Sequence, residues 1–259
     1  MAEFAAHAPG TFCWVELTTS DPEAAKRFYS ELFDWTHHDD PVAPGLVYTM
    51  LFRGGKSVGA LHKQRSEETD QGVPPHWSAY VSVADLEASA VRVSALGGRL
   101  LAPPLDVMNF GRMAVLQDPT GAVLSLWQPG QHHGAQLKDE PGSLCWAELM
   151  TPDTGRARDF YCGLFDWGAK KSDLTEMEYT EFTQGEGSLA GMMPITPDMG
   201  PVPPNWMLYF ATASVDRVAE TAQRLGGRLI VPPRDIPKVG RFTVAQDPQG
   251  AVFAAITLG

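Results

Sequence analysis

The residues best suited to chemistry in this sequence are two glutamates, Glu16 and Glu148, each of which follows a tryptophan at a spacing of two. Alternation along a strand would put Glu16 beside Trp14, and Glu148 beside Trp146, on one face of a sheet. A carboxyl group held inside a sheet loses solvation, so it must be hydrogen-bonded, paired with a cation or protonated. We therefore take Glu16 and Glu148 as candidate acid–base residues.

A structural role for the same two glutamates is the alternative, and it stays open at this point. In that case each carboxylate anchors the sheet, and Arg112 and Arg241 are the expected partners because a guanidinium can meet a carboxylate with two hydrogen bonds. The reverse face of the first strand carries Cys13, which we expect to face a helix and to act as reduced core filler, like the other two cysteines, rather than as a nucleophile.

The elements that position the glutamates occur twice in the chain. The offset between copies is 132 residues at Glu16 and Glu148, and 129 residues at Tyr80 and Tyr209. Both copies share the motifs Leu-Gly-Gly-Arg-Leu and Gln-Asp-Pro-x-Gly-Ala-Val. Self-similarity over such a distance indicates a duplicated domain. We predict two domains, at residues 9-128 and 141-258.

The sequence pattern of each copy predicts strands that alternate with two short helices. Asp21 is a typical helix cap, Pro22 suits the first helical position, and the apolar spacing predicts a helix to about Phe33. The other elements predicted in the first copy are strands at 12-18, 47-52, 57-62, 77-83, 99-101, 112-117 and 122-127, and a helix at 86-96. This pattern predicts an α+β fold in which each copy holds two βαβββ units.

Composition limits the class of partner. The chain is 44% hydrophobic and 20% charged, as is typical of a globular protein, and its formal net charge is -11. Because no basic field is available to hold phosphate, nucleic acid and anionic membranes are poor partners, and a small-molecule ligand is expected. We expect a monomer with an internal pseudo-dimer, or a homodimer. Met1 to Gly10 shows no leader pattern and no apolar run reaches membrane-spanning length, so the expected location is cytoplasmic.

The repeated motifs resemble those of the glyoxalase, bleomycin resistance and dioxygenase superfamily, also called the vicinal oxygen chelate fold. The resemblance rests on the opening from Asp21 through Phe28-Tyr29 to Leu32-Phe33, the Leu-Gly-Gly helix exit and the Asp118-Pro-Thr-Gly121 turn. The tandem arrangement is similar to two-domain actinobacterial proteins of the culture-filtrate-antigen type, which are often labelled hydroxylases. The resemblance implies two tandem glyoxalase-like domains, each with a cupped, incompletely closed sheet.

Metal-dependent members of this superfamily place four histidine or glutamate ligands on strand positions inside the cup. The corresponding positions in this sequence are Trp14, Ala60, Ser78 and Ser125 in the first copy, and Trp146, Gly191, Met207 and Ala254 in the second. None of these side chains is a histidine or a carboxylate, which are the usual donors to zinc or iron. We therefore expect no metal at these positions and no cofactor.

Several side chains are expected to line the cups. The predicted ligand-binding residues are Trp14, His62, Tyr80, Ser125, Trp127, Trp146, Met193 and Tyr209. The expected function is binding of a small, partly apolar metabolite or antibiotic-like compound in an aromatic-lined cup. One alternative is an enzyme, a hydroxylase, lyase or isomerase, with Glu16 or Glu148 as the acid–base residue. Another is a scaffold protein whose cups are filled by side chains.

Overall fold

The computed structural model describes residues 6–173 and 178–259. The first five residues, which belong to the segment Met1 to Gly10 considered above, lie outside this range. The strands are β1 Phe12–Thr19, β2 Thr36–Ala43, β3 Leu46–Arg53, β4 Lys56–Lys63, β5 His76–Ser82, β6 Arg99–Val107, β7 Gly111–Gln117, β8 Val123–Pro129, β9 Leu144–Thr151, β10 Gly168–Lys171, β11 Thr180–Gln184, β12 Gly187–Pro194, β13 Asn205–Ala211, β14 Arg228–Ile236, β15 Gly240–Gln246 and β16 Val252–Leu258. The helices are α1 Pro22–Phe33, α2 Ser66–Asp70, α3 Leu86–Ala95, α4 Thr154–Phe165 and α5 Val215–Arg224, with a short 3-10 turn at Pro197–Met199.

These elements form two eight-stranded mixed sheets, one for each copy. The strand order is β2-β3-β4-β1-β5-β8-β7-β6 in the first sheet and β10-β11-β12-β9-β13-β16-β15-β14 in the second. The central pair β1 and β5 is antiparallel, while β1 pairs with β4, and β5 with β8, in parallel. Each sheet is therefore two βαβββ units joined at their first strands, and the predicted α+β fold with two tandem glyoxalase-like domains is confirmed.

The helix after each first strand begins and ends by the same local chemistry. The carboxylate of Asp21 accepts a hydrogen bond of 3.0 Å from the backbone N–H of Ala24, and Asp153 accepts one of 2.9 Å from Arg156. A side-chain acceptor here satisfies an N–H group that the helix cannot pair. Asp34 ends α1 with a φ of 56°, a left-handed conformation that asparagine and aspartate adopt more readily than most residues.

One strand of the first copy, β2, was not predicted from the sequence. β2 carries His37 and His38 and pairs along its length with β3. All eight of its residues are exposed, so it has no apolar alternation by which a strand is recognised. Polar residues on an edge strand also discourage pairing with other chains.

The two copies share one hydrophobic core. Buried side chains from the helix side of both sheets form a single cluster, so the helix sides of the two sheets face each other. Two hydrogen bonds of 2.9 Å cross the junction reciprocally, from the hydroxyl of Tyr29 to Asp247 and from that of Tyr161 to Asp118. The helix-free faces of the two sheets consequently carry separate, smaller clusters. We call these faces the first cup and the second cup.

The face assigned to Cys13 was wrong, although its packing role was not. A register shift between Phe12 and Trp14 against β5 places Cys13 in a bulge, where it packs with the residues of the first cup. A similar shift acts on Cys145 in the second sheet. Burial raises the pKa of both thiols to about 12, so they stay protonated and are poor nucleophiles.

Within residues 6–173 and 178–259, every helix is too short or too polar to span a bilayer.

Candidate functional site

Glu16 is the centre of a hydrogen-bonded cluster in the first cup. The hydroxyl of Tyr48 donates to Glu16 Oε2 at 2.6 Å, and that of Tyr80 donates to Oε1 at 3.2 Å. The ring nitrogen Nε2 of His62 lies 3.0 Å from the same Oε1. The side chains of Glu16 and His62 are 14% and 15% exposed, so the pair is largely removed from water.

The surroundings of His62 fix its protonation state. Its Nε2 faces the carboxylate of Glu16, and its Nδ1 lies 2.9 Å from the carbonyl oxygen of Lys63. Two acceptors can both be satisfied only by the doubly protonated imidazolium. Burial alone would lower the pKa of His62, but the hydrogen bond and charge of Glu16 raise it above the ordinary value. Burial likewise opposes the ionisation of Glu16, yet the hydrogen bond and charge of His62 hold its pKa below normal.

The first cup is filled by its own chain. Trp14 donates from Nε1 to the hydroxyl of Tyr48 at 3.2 Å, and the ring of His132 packs edge-on against Trp14 at 4.5 Å. Trp127 donates from Nε1 to the carbonyl oxygen of His132 at 2.9 Å. Burial, together with the neighbouring His133, lowers the pKa of His132 to about 4, so its ring is neutral. The indole of Trp14 is only 4% exposed as a result.

Glu148 occupies the equivalent place in the second cup but has no cationic neighbour in the described part of the chain. Tyr209 donates to Glu148 Oε1 at 2.9 Å, and Tyr179 forms a second hydrogen bond to the carboxyl group. The position of His62 is taken by Met193, which lies opposite Met150 in the parallel pair of β12 and β9. Burial outweighs the two tyrosine hydrogen bonds and raises the pKa of Glu148 above normal.

Trp146 is more exposed than Trp14. It donates from Nε1 to the hydroxyl of Tyr179 at 2.9 Å, which repeats the tryptophan–tyrosine–glutamate chain of the first cup. No aromatic ring in the described residues packs on it, and it is only partly buried. A cavity of about 10 Å³ beside Trp146 and Lys138 is too small for a molecule larger than water. The partly exposed side of Trp146 is the open face of the second cup.

The structure brings the other predicted ligand-binding residues to the same two faces. Tyr80 pairs with Ser125, and the two side chains are hydrogen-bonded. Trp127 belongs to the apolar cluster of the first cup, and Tyr209 to that of the second. Met193 is buried, at 8% exposure. Whether these residues contact a ligand stays a prediction.

Arg112 and Arg241 do not pair with the glutamates. Arg112 binds Glu87 and Asp106 at 2.7 and 2.8 Å, and Arg241 makes matching contacts with two aspartates near the surface. The expectation was wrong because alternation along β7 directs Arg112 to the helix side and its neighbour Met113 to the cup.

The tyrosines that complete the two clusters were missed from the sequence. Tyr48 and Tyr179 each precede a threonine and are offset by 131 residues, between the offsets of the flanking motifs. That repeat of an aromatic residue was the available signal. No repeat in the sequence marked the contact of His132 with Trp14.

The donor set at the family's metal positions does not fit a divalent cation. Glu16 lies opposite Ala60 on one side and Ser78 on the other, so a single carboxylate stands among side chains that cannot complete a site. In residues 6–173 and 178–259, no three histidine, cysteine, aspartate or glutamate side chains converge.

Comparison with known proteins gives consistent relatives along nearly the whole chain. The sequence is 39% identical over 249 residues to "Putative glyoxylase CFP32" of Mycobacterium bovis, covering 95% of this chain and 94% of the relative. It is 35% identical over 263 residues to "Anthracycline biosynthesis protein DnrV" of Streptomyces peucetius, covering 97% of this chain and 94% of that protein.

Solved structures share the fold at low sequence identity. The Mn(II)-bound glyoxalase from Novosphingobium aromaticivorans superposes with a TM-score of 0.67 at 14% identity, covering 96% of this chain and 82% of its own. The 2,3-dioxygenase LapB from Pseudomonas sp. KL28 gives a TM-score of 0.64 at 13% identity, covering 96% and 92%. The glyoxalase model matches residues 11–126 and 143–254. The chain belongs to the glyoxalase/bleomycin resistance protein/dioxygenase superfamily.

Proposed function

We propose that this protein binds a small, partly apolar molecule on the open face of the second cup, without a metal at the family's strand positions. The observation that carries the proposal is the contrast between two equivalent tryptophans. Trp14 is covered by the protein's own residues, whereas Trp146 stands partly exposed above a buried carboxyl group. An aromatic face beside a few convergent polar groups is the usual composition of a small-molecule site.

The names of the relatives agree with a small-molecule partner. One relative is named for anthracycline biosynthesis and another as a glyoxylase. The formal net charge of -11 disfavours binding to nucleic acid. The alternative of a scaffold protein with filled cups fits the first cup, where a carboxylate–imidazolium pair and packed rings fill the face.

A second candidate function is proton transfer to the bound molecule. It is favoured by the raised pKa of Glu148, because a buried carboxyl group that keeps its proton to higher pH than usual is better suited to act as a general acid. Replacing Glu148 with Gln separates the two functions: turnover of a substrate would be lost if Glu148 is an acid, while binding of that substrate would persist.

Native mass spectrometry of freshly purified protein tests the binding function. We expect a noncovalent adduct of small-molecule mass that survives treatment with a chelator. The matched controls are Trp146→Ala, which should lose the adduct, and Trp14→Ala, which should keep it. An adduct that disappears with the chelator would contradict metal-free binding, and retention of the adduct by Trp146→Ala would contradict the assignment to the second cup.

A further inference from the structure

An aromatic side chain of the protein itself, His132, occupies the first cup. The imidazole of His132 meets the ring of Trp14 edge-on at a centroid distance of 4.5 Å and an interplanar angle of 86°. The carbonyl oxygen of the same residue accepts a hydrogen bond of 2.9 Å from Trp127 Nε1. A neutral planar ring and a nearby carbonyl group are thus the chemistry that this cup accommodates against its tryptophan.

The segment around His132 is held in place by the neighbouring hairpin. The backbone N–H groups of Gly130 and His132 both donate to the carbonyl oxygen of Phe110 at 2.9 Å, and Ala135 donates to that of Cys13 at 2.8 Å. The contact between His132 and Trp14 is therefore fixed at both ends by backbone hydrogen bonds and is part of the fold.

The second cup presents the same tryptophan without an aromatic occupant from the described residues. Its apolar surroundings are partly buried side chains of the same face, namely Cys145, Met207, Val231, Ile236, Val239 and Val252. Trp146 also keeps its link to Glu148 through the hydroxyl of Tyr179. The internal repeat therefore indicates what this surface can hold, because the first copy shows the same position occupied.

The polar groups of the second cup select against an anionic ligand. Glu148 has tyrosine hydroxyls as partners and Met193 where the first cup has an imidazolium. The guanidinium of Arg234 is directed to the ring of Phe242, 5.3 Å from its centroid. A buried carboxyl group between hydroxyls can exchange hydrogen bonds with a carbonyl or hydroxyl group, but it offers no countercharge to an anion.

We propose that the second cup binds a neutral, planar aromatic molecule bearing a carbonyl or hydroxyl group, seated against Trp146 in the place that His132 takes against Trp14. This inference rests on the binding function proposed above and adds the class of ligand. The ring packs edge-on or offset against the indole, as aromatic pairs prefer. Its oxygen reaches the cluster of Glu148, Tyr179 and Tyr209.

The test is equilibrium dialysis of the full chain with 1,8-dihydroxyanthraquinone, a neutral planar hydroxyketone, against anthraquinone-2-sulfonate, an anionic analogue of similar shape. We expect one neutral probe per chain and at least tenfold weaker binding of the sulfonate. Trp146→Ala should weaken binding of the neutral probe at least tenfold. His132→Ala should leave that site unchanged and admit a second probe to the first cup.

The outcomes separate this inference from the proposed function. A neutral probe that binds with unchanged affinity to Trp146→Ala, or a sulfonate that binds equally well, overturns the inference while a small-molecule function stands. Failure of both probes to bind overturns the inference, and the adduct measurement then decides the function independently. Because Trp146 and His132 are both partly exposed, circular dichroism and thermal unfolding should show both variants folded.

Discussion

His62 Nε2 lies 3.0 Å from Glu16 Oε1, and this contact exists in only one of the two sheets because Met193 takes the place of His62 in the other. The two copies keep the same tryptophan, tyrosine and glutamate around that position. One substitution thus gives one cup an ion pair and leaves the other with a carboxyl group that favours its protonated form.

Replacing His62 with Met should make the first cup resemble the second and destabilise the protein by about 2 kcal/mol near pH 5.5, because a buried charged hydrogen bond is lost. The raised pKa of His62 means that its contribution is complete below about pH 6 and disappears as the pH rises through the folded-state value. Urea unfolding at pH 5.5 and pH 9 measures the difference. An equal cost at both values would contradict an imidazolium at this position.

Replacing each glutamate with Gln should have opposite effects in the two cups. Glu16→Gln removes the charge that holds His62 and should cost about 2 kcal/mol at pH 6. The pKa of Glu148 is raised, so its stabilising contribution is complete at low pH and is lost as the pH rises through the folded-state value. Glu148→Gln should therefore become more stable relative to the wild type as the pH rises from 4 to 8. Urea denaturation curves at pH 6 check Glu16→Gln, and curves at pH 4 and pH 8 check Glu148→Gln. A stability difference between Glu148→Gln and the wild type that does not change with pH would contradict burial of an ionisable carboxyl group.

Gly191→Ala should disturb the second cup by displacing Tyr179. A methyl group at Gly191 would collide with the hydroxyl of Tyr179, which would have to leave Glu148 and Trp146. Overpacking of this kind costs about 1 to 3 kcal/mol, and probe binding should weaken as well. Ala60, the corresponding residue of the first sheet, is fully buried. The matched control Ala60→Gly should leave probe binding unchanged, and an unaffected Gly191→Ala variant would contradict a role for Tyr179.

Tyr29→Phe should weaken the junction of the two copies. Its hydroxyl donates to Asp247 and accepts from Trp77 Nε1 at 3.0 Å, so the change leaves a buried donor and a buried acceptor each short of a partner. We expect a loss of about 2 kcal/mol or more. Tyr161→Phe, which breaks the reciprocal bond to Asp118, is the matched variant.

Calorimetry of both variants also tests the shared core. Because one cluster of side chains joins the sheets, we expect the two copies to unfold in a single transition. Two separate transitions in the wild type would contradict this coupling.

The duplicated fold was predictable because the chain repeats short motifs, and each motif determines its local structure through contacts with residues nearby in sequence. Asp21 caps a helix wherever it precedes one, and the Asp118 turn closes a hairpin by accepting the backbone N–H groups of Thr120, Gly121 and Ala122. Such signals depend only on neighbours in sequence. They identify elements even when nothing is known of how those elements pack.

Features that depend on contacts between residues far apart in the chain could not be predicted from the sequence. The bulge at Cys13 arises from pairing with β5, and the occupant of the first cup is His132, which follows Trp14 by more than a hundred residues. The exposed strand β2 has no pattern because it contributes nothing to the core. Tyr48 and Tyr179 were visible as a repeat, but only the structure shows that they join Trp14 and Trp146 to the glutamates.

The placement of the common core between the two sheets has an evolutionary consequence. Residues that join the two copies lie on the helix side of β1 and β9, and the residues of the two cups lie on the opposite faces. Substitutions can therefore accumulate in one cup without reaching the interior or the other cup.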